Sequence, residues 1–209
     1  MLKKKITSVS LFLTFFSITV SCCFGSELTN ILKIENFLNS IETINTRFTQ
    51  ISDNGKIETG TLLIQKPGKM RFEYDPPSNN IVMSSGALLV IIDKKSTGEP
   101  QRYLTSQTPL GFLLDERIKL NNKPTLQKLF VKSENIYVVL YDQENPKSGT
   151  LELVFSQHPI MLREWTVSNY SEEKTRLLLE KLNINDPIDP KLFNIGYEIS
   201  RARKALKSN

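Results

Sequence analysis

The sequence contains few residues that support covalent or metal chemistry. Among its 209 residues there are two cysteines and one histidine. The cysteines, Cys22 and Cys23, are adjacent and lie where a signal peptide is expected to be cut, after Gly25. Cleavage there leaves no thiol, which excludes disulfides, a thiolate nucleophile and a Cys-ligated metal from the exported chain. The histidine, His158, precedes Pro159 in a predicted turn, where a solvated side chain is the usual finding.

The short motifs of serine hydrolases, zinc proteases, P-loop proteins and dinucleotide-binding enzymes are also missing. Neighbouring carboxylates, such as Asp115-Glu116 and Glu172-Glu173, are typical of solvated surface rather than of an acid–base pair. We therefore expect a protein that is not an enzyme and that holds neither a metal nor a cofactor.

The first 25 residues form a predicted secretory signal peptide. Three lysines at 3–5 precede an apolar run at 6–20, and mostly small residues follow at 21–26. The run is too short, and its flanks too one-sidedly charged, for a membrane span. The expected exported chain, residues 26–209, is a single domain located in the periplasm.

Little of the excess positive charge belongs to the exported chain. The whole sequence has 27 Lys and Arg against 22 Asp and Glu, a net charge of +5. The signal peptide takes three of the lysines and no acid, which leaves 24 against 22, a net charge of +2. So small an excess gives little support to nucleic-acid binding, and we expect no nucleic-acid partner.

Hydrophobic periodicity predicts one helix followed by a β-meander. Three-to-four spacing over 27–44 predicts an amphipathic helix that covers the open face of a sheet. From Thr46 the period changes to two, and turns separate about eleven predicted strands. These are 46–51, 56–65, 69–74, 80–84, 87–93, 101–104, 127–133, 136–142, 150–156, 160–169 and 174–183. Such a meander must curl, because a flat sheet exposes long edges.

Two of these strands, over 87–92 and 136–141, are apolar throughout, which predicts cover on both faces. The strand at 69–74 alternates instead, between the turn Lys66-Pro67-Gly68 and the stop Asp75-Pro76-Pro77. Its apolar face and its polar face consist of Met70, Phe72 and Tyr74 on one side and Lys69, Arg71 and Glu73 on the other.

An apolar interruption at 106–116 separates the first strands from the later ones. Thr108 suits a helix N-cap and Pro109 suits the first helical position. A short apolar helical turn follows, formed by Leu110, Phe112, Leu113 and Leu114. Gly111 weakens it by about 1 kcal/mol relative to alanine. The segment is therefore either a fixed plug that completes the core or a lid that can move.

Several short segments occur in a recognisable order. They are Arg47-Phe48-Thr49-Gln50, Gly60-Thr61-Leu62, 66–77, Ser85-Gly86 with the apolar strand to Asp93, and Thr108-Pro109-Leu110. Together they resemble the LolA family of periplasmic lipoprotein carriers, and 189–193 resembles the family's C-terminal strand. The resemblance implies an incomplete, half-open antiparallel β-barrel of about eleven strands with an N-terminal helix and a short helical lid.

The resemblance also implies a function. A monomeric carrier would take acylated lipoproteins from an inner-membrane lipoprotein-releasing ABC transporter and shield their acyl chains in an apolar cavity. It would pass them to a LolB-like outer-membrane acceptor or to the outer membrane directly. The residue types that suit an acyl-chain lining are Met70, Phe72, Leu110, Phe112, Leu113 and Trp165.

A latch for the lid is also implied. The basic residue before the proline that follows the second strand contacts the lid in the family, and here that residue is Lys66, with Thr108 and Pro109 at the start of the lid. The family's usual arginine offers a rigid fork of five donors, whereas lysine is a point charge with three.

Two other functions stay open at this point. A lipid-anchored outer-membrane receptor similar to LolB requires a lipid on Cys22, although Thr19 stands where the recognition sequence for lipidation prefers leucine. An envelope chaperone or structural module would bind no lipid, and copurifying acyl chains would separate it from a carrier.

Overall fold

A large antiparallel sheet dominates the computed structural model, which describes residues 22–120 and 126–207. Its strands are β1 Thr43–Ser52, β2 Ile57–Gln65, β3 Lys69–Tyr74, β4 Asn80–Ser85, β5 Leu88–Asp93, β6 Gln101–Leu104, β7 Leu126–Lys132, β8 Asn135–Tyr141, β9 Thr150–Gln157, β10 Ile160–Ser168, β11 Lys174–Leu179 and β12 Asn183–Ile184. The helices are α1 Cys22–Asn39, α2 Gly111–Leu114 and α3 Ile195–Lys207. The charged and apolar parts of the predicted signal peptide lie outside the described residues.

The sheet is not closed. Its strand order is β6-β5-β4-β3-β2-β1-β11-β10-β9-β8-β7, and β12 pairs with β1 beside β11. Strands β6 and β7 are therefore the two edges, and the predicted half-open antiparallel architecture is confirmed. One predicted strand, at 174–183, is divided into β11 and β12 in the structure.

The N-terminal helix ends earlier than the apolar spacing predicted. Helix α1 stops at Asn39, and β1 begins at Thr43. The chain leaves the helix because the side chain of Asn185 binds it there, accepting from Glu42 N–H at 2.8 Å and donating to the Ser40 carbonyl oxygen at 2.9 Å. Ile41 and Ile44 are buried in the sheet's core, although they do not belong to the helix.

Two apolar cores lie on opposite faces of the sheet. The larger one fills the inner face, where Ile31, Ile34 and Leu38 of α1 pack together with residues of nearly every strand. The smaller core lies on the outer face of β4 and β5, under α3. Leu89 belongs to the inner core and Val90 to the outer one, so the prediction that this strand is covered on both faces is confirmed.

The same prediction for residues 136–141 is wrong. In β8 every second residue, from Ile136, is buried in the inner core, but the residues between them are only half-buried. The apolar stripe of α3 packs on β4 and β5, and the outer core that it forms there does not include residues of β8.

The C-terminal segment is helical rather than the expected strand. Residues 190–193 form a 3-10 turn, in which Asp189 Oδ1 accepts from Lys191 N–H at 2.9 Å. Pro190, which has no N–H to give to a sheet, suits the first position of such a turn. Helix α3 follows directly. Within the described ranges, no helix is long and apolar enough to cross a bilayer.

Candidate functional site

The inner core contains all six residues predicted to line an acyl-chain cavity. Met70 and Phe72 of β3, Leu113 of α2 and Trp165 of β10 are buried, whereas Leu110 and Phe112 are half-buried at its margin. Alternation in β3 accounts for the first two, since its odd and even residues face opposite sides of the sheet. The structure thus brings the six residues together on one side of the sheet.

Aromatic rings form one side of this inner core. Phe72 lies edge-on to Trp165, with ring centroids 6.3 Å apart, and edge-on to Phe48 at 5.3 Å. Gly60 makes room for the Phe48 ring, because a Cβ at that position would lie 2.7 Å from two of its ring carbons. The close approach explains why glycine is required in the middle of β2.

The space between these side chains is almost filled. A residual cavity of about 10 Å³, bounded by Leu38, Lys66, Leu113, Trp165 and their neighbours, has room for about one water molecule. An acyl chain can enter only if some of these groups move. The described conformation is therefore a closed one.

Helix α2 is the smallest element that faces the cavity. It has four residues, beginning at Gly111, so it starts later than the predicted Thr108-Pro109 boundary. Thr108 nevertheless caps the preceding turn, since its Oγ1 accepts from Leu110 N–H at 3.1 Å. Pro109 is buried in that turn. With one turn of helix and few internal hydrogen bonds, α2 depends on its apolar contacts for its position.

Lys66 binds α1 rather than α2. Its Nζ donates to the Leu38 carbonyl oxygen, 2.8 Å away, near the C-terminal end of α1. The direct backbone contact with α2 comes from Gly68, whose N–H donates to the Leu114 carbonyl oxygen at 2.8 Å. In this conformation the Lys66 ammonium group thus binds a free main-chain carbonyl of α1, and its role as a latch for the lid stays a prediction.

The position of Lys66 changes its ionisation. Burial beside the apolar core lowers the pKa of Lys66 to about 8, and the nearby Asp115 carboxylate only partly opposes this shift. Burial also raises the pKa of Asp115, against the attraction of Lys66. The two groups face each other where α2 ends, so the charge balance there depends on pH.

A second set of contacts, which binds the segment after α2 to α1, was not predicted from the sequence. The segment 115–120, which follows α2 and is called the strap below, is held by two side chains of α1. The side-chain amide of Asn39 donates to the Ile118 carbonyl oxygen and accepts from Ile118 N–H, both at 2.8 Å. Glu35 Oε1 accepts from Leu120 N–H at 2.5 Å. The only signal in the sequence is that Glu35 and Asn39 stand one helical turn apart beside the apolar stripe.

The Arg47 side chain makes its contacts within the sheet and not with the cavity. The Arg47 guanidinium pairs with the Asp75 carboxylate across β2, and Thr59 Oγ1 donates to the same carboxylate at 2.6 Å. The hydrogen bond from Arg47, followed by that from Thr59, lowers the pKa of Asp75 to about 2. These contacts fix the chain where it leaves β3.

Groups suited to acid–base or metal chemistry lie elsewhere. His158 is exposed in the turn between β9 and β10, and its peptide bond to Pro159 is cis. In the described part of the chain, no three His, Cys, Asp or Glu side chains converge on a possible metal site. Among the described residues, the inner core consists mainly of apolar side chains, and Lys66 borders its residual cavity.

The chain is similar to several known proteins. A family model described as "Outer membrane lipoprotein carrier protein LolA" matches residues 39–196. A protein of that type from Methylococcus capsulatus is 24% identical over 186 residues, covering 83% of this chain and 88% of its own length. One from Coxiella burnetii is 23% identical over 189 residues, covering 84% and 85%. A crystal structure of a LolA superfamily protein from Nitrosomonas europaea covers 80% of this chain and 98% of its own, at 12% identity and a TM-score of 0.43.

Proposed function

This chain belongs to the LolA family, and from that premise we propose that it carries the acyl chains of lipoproteins through the periplasm in its inner apolar core. The observation that carries the proposal is the closed inner core, faced by the four-residue helix α2 and the strap. Each buried CH₂ of an acyl chain is worth about 0.8 kcal/mol, so a lipoprotein needs such a cover in water.

The contacts that hold α2 and the strap are weak enough for cargo to displace. Few polar contacts hold α2 and the strap: the bonds of Asn39, Glu35 and Gly68, with Lys66 beside them. Each neutral hydrogen bond contributes about 1 kcal/mol net, so cargo with several acyl chains can replace them together with the apolar contacts of Leu113. A lid that closes when empty would also keep the apolar lining from aggregating.

The proposed cycle needs no cofactor and no chemical step. The chain, acting as a monomer, would receive lipoproteins from the inner-membrane lipoprotein-releasing ABC transporter. It would release them to a LolB-like acceptor or to the outer membrane itself. The apolar run at 6–20 supports export, and removal of 1–25 would leave a chain beginning at Ser26.

A lipid-anchored receptor similar to LolB is the second candidate, and Cys22 separates it from a shuttle. If Cys22 carries a diacylglyceryl group, the protein stays on a membrane instead of crossing the periplasm. The intact mass of the protein from osmotic-shock fluid decides between them. A mass that begins near Ser26 supports the carrier, and a lipid-modified chain found only in membranes rejects it.

Acyl-chain binding itself is tested with two substitutions on one strand. Met70→Glu puts a carboxylate into the inner core, whereas Lys69→Glu puts the same side chain on the opposite face of β3. Folded Met70→Glu protein should release less lipoprotein from spheroplasts into the supernatant, and Lys69→Glu protein should behave as the wild type.

Met70 is only 1% exposed, so its replacement can also unfold the chain. Leu113→Ser then serves as the second variant, because it lies on α2 rather than in the sheet. Normal release by folded Leu113→Ser and Met70→Glu proteins would reject acyl-chain binding at this site.

A further inference from the structure

Helix α3 has a buried stripe that packs on the outer face of the sheet. Ala202 is buried, and Ile195 and Ile199 pack beside it. Their partners in the sheet are Ile81 and Met83 of β4 and Val90 and Ile92 of β5. Spacings of three and four residues place these helix residues on one side, so α3 has a defined inner face and a defined outer face.

A buried ion pair fixes this orientation. Arg71, which was predicted to lie on a polar outer face, donates from Nη1 to Glu198 Oε2 at 3.0 Å, and the two side chains are 5% and 4% exposed. The same nitrogen donates to the Leu192 carbonyl oxygen at 3.2 Å, just before the helix. Arg71 also pairs with Glu73 at 2.7 Å, so a partly buried ionic network, together with the apolar stripe, holds α3 on the sheet.

The outer face of α3 is basic. Its exposed residues include Arg201, Arg203, Lys204 and Lys207, and the sole acid of the helix, Glu198, points inward. Arg201 pairs with Glu198, and Arg203 pairs with Glu99. Among the described residues, neither Lys204 nor Lys207 has an acidic partner within ion-pair distance.

An aromatic residue shares the basic stripe. Tyr197 is 61% exposed, and positions 197, 201 and 204 follow the four- and three-residue steps of one helical stripe. Leu192 is also exposed in the turn that leads into the helix. Cationic residues next to an exposed aromatic side chain are typical of helices that lie at a membrane–water interface.

We propose that the outer face of α3 docks on an anionic phospholipid surface. Negative headgroups complement the cationic stripe, and Tyr197 can enter the interfacial region beside them. Each lysine or arginine close to such a surface strengthens binding by about fivefold. A few such residues by themselves give weak, reversible docking.

The family match ends at Gly196, so almost all of α3 lies outside the residues on which the carrier function is proposed. The docking can therefore be tested separately from that function. It is also compatible with a protein that must leave one membrane to reach another.

The test is cosedimentation of the exported chain with large vesicles. Vesicles of phosphatidylcholine with about 30% phosphatidylglycerol should bind the protein at low salt, and pure phosphatidylcholine vesicles should not. Binding should weaken steeply as salt is raised, because the attraction is screened. Absence of binding to the anionic vesicles at low salt would overturn the proposal.

Matched variants locate the binding face. The double variant Lys204→Glu, Lys207→Glu should bind anionic vesicles on the order of 20-fold or more weakly. The control Lys147→Glu, Lys181→Glu changes two other exposed lysines to the same net charge and should bind nearly as the wild type. If both folded variants lose the same affinity for anionic vesicles, binding depends on the net charge of the protein, and α3 is not the docking surface.

An acidic protein is the other partner that a basic helix could take. Tyr197→Trp separates the two, and the wild type, whose single Trp165 is 2% exposed, gives the background to subtract. Anionic vesicles should shift the fluorescence of the introduced indole to the blue, whereas polyglutamate should not. A protein that binds polyglutamate but shows no blue shift with vesicles would contradict docking on lipid.

Discussion

The Asn39 side chain and the Ile118 backbone exchange two hydrogen bonds, as two residues of adjacent antiparallel strands do. Both polar atoms of the Asn39 side-chain amide bind the backbone of Ile118, 79 residues away, at 2.8 Å each. The strap therefore has a hydrogen-bonding partner on α1 even though it belongs to no sheet. In the proposed cycle this pair is one of the contacts that must break when cargo enters.

Loss of the Asn39 contacts should loosen the strap. Asn39→Ala removes two neutral hydrogen bonds worth about 1 kcal/mol each, so opening should become roughly ten- to thirtyfold more frequent. Hydrogen exchange at the amides of Ile118 and Leu120 measures that opening. Asn36→Ala, an exposed asparagine of the same helix, is the matched control and should leave both rates unchanged.

If exchange at Ile118 is the same in the Asn39 and Asn36 variants, the pair does not hold the strap. A rise of that size confined to Ile118 and Leu120 would support the opening that the carrier function needs. A rise over the whole chain would instead indicate global unfolding.

Gly60→Ala should destabilise the fold by about 1–3 kcal/mol or more. The added Cβ would lie 2.3 Å from the Glu73 carbonyl oxygen and 2.7 Å from the Phe48 ring, and neither group can withdraw without moving a strand or the aromatic cluster. Urea denaturation gives the free energy of unfolding. For comparison, Gly98→Ala meets only the Ser96 Oγ at 3.2 Å and should cost little. Equal stability of the two variants would contradict the close packing of β2 against Phe48.

The Asp75 carboxylate should make the stability of the fold depend on pH in the acidic range. Its folded-state pKa of about 2 lies below the ordinary value of 3.8, mainly because of the hydrogen bond from Arg47. The stabilisation is present above the unfolded pKa and is lost as the pH falls from about 4 towards 2. Asp75→Asn should therefore be less stable than the wild type at about pH 6, and the difference should shrink at about pH 3. A difference that stays constant over this range would show that the ionised form is not favoured by folding.

Lys66 should also make stability rise with pH, but in the basic range. Its folded-state pKa of about 8 lies below the ordinary 10.5, so the unfolded chain binds more protons between these values. Stability must then rise with pH across that window. Lys66→Met should abolish the rise between about pH 8 and 9.5 while leaving other pH effects intact. The same slope in both proteins would mean that Lys66 is not desolvated by the inner core.

Most of the sheet was predictable because each strand's alternation is local and is reinforced by a turn signal. The inner face of β3, with Met70 and Phe72, followed from that pattern alone. Helix α3 was not predicted, because its inner stripe includes Glu198, whose burial depends on Arg71, 127 residues away. A charged residue within an apolar stripe weakens the amphipathic pattern until its distant partner is known.

The candidate site was likewise only partly predictable from the sequence. Its apolar lining could be predicted from residue type and period, whereas its polar attachments could not. Glu35 and Asn39 bind backbone atoms 85 and 79 residues away. Because nearly every residue has the same backbone groups, the sequence does not indicate which of them a side chain binds. Lys66 makes a polar contact with Leu38 of α1, a partner that no local pattern specifies, and its role as a latch stays a prediction.

The most direct test of the account follows the side chain of Leu113 during loading. A chain expressed from Ser26 onwards has no cysteine, so Leu113→Cys can be labelled with a small trifluoroethyl group and observed by fluorine NMR. Ile57→Cys, at an exposed position at the start of β2, is the control. A diacylated lipopeptide should move the signal at Leu113 and not the one at Ile57, and the same peptide without acyl chains should move neither. A Leu113 signal that ignores the lipopeptide while the protein is folded would mean that α2 is a fixed plug, and the carrier function would be contradicted.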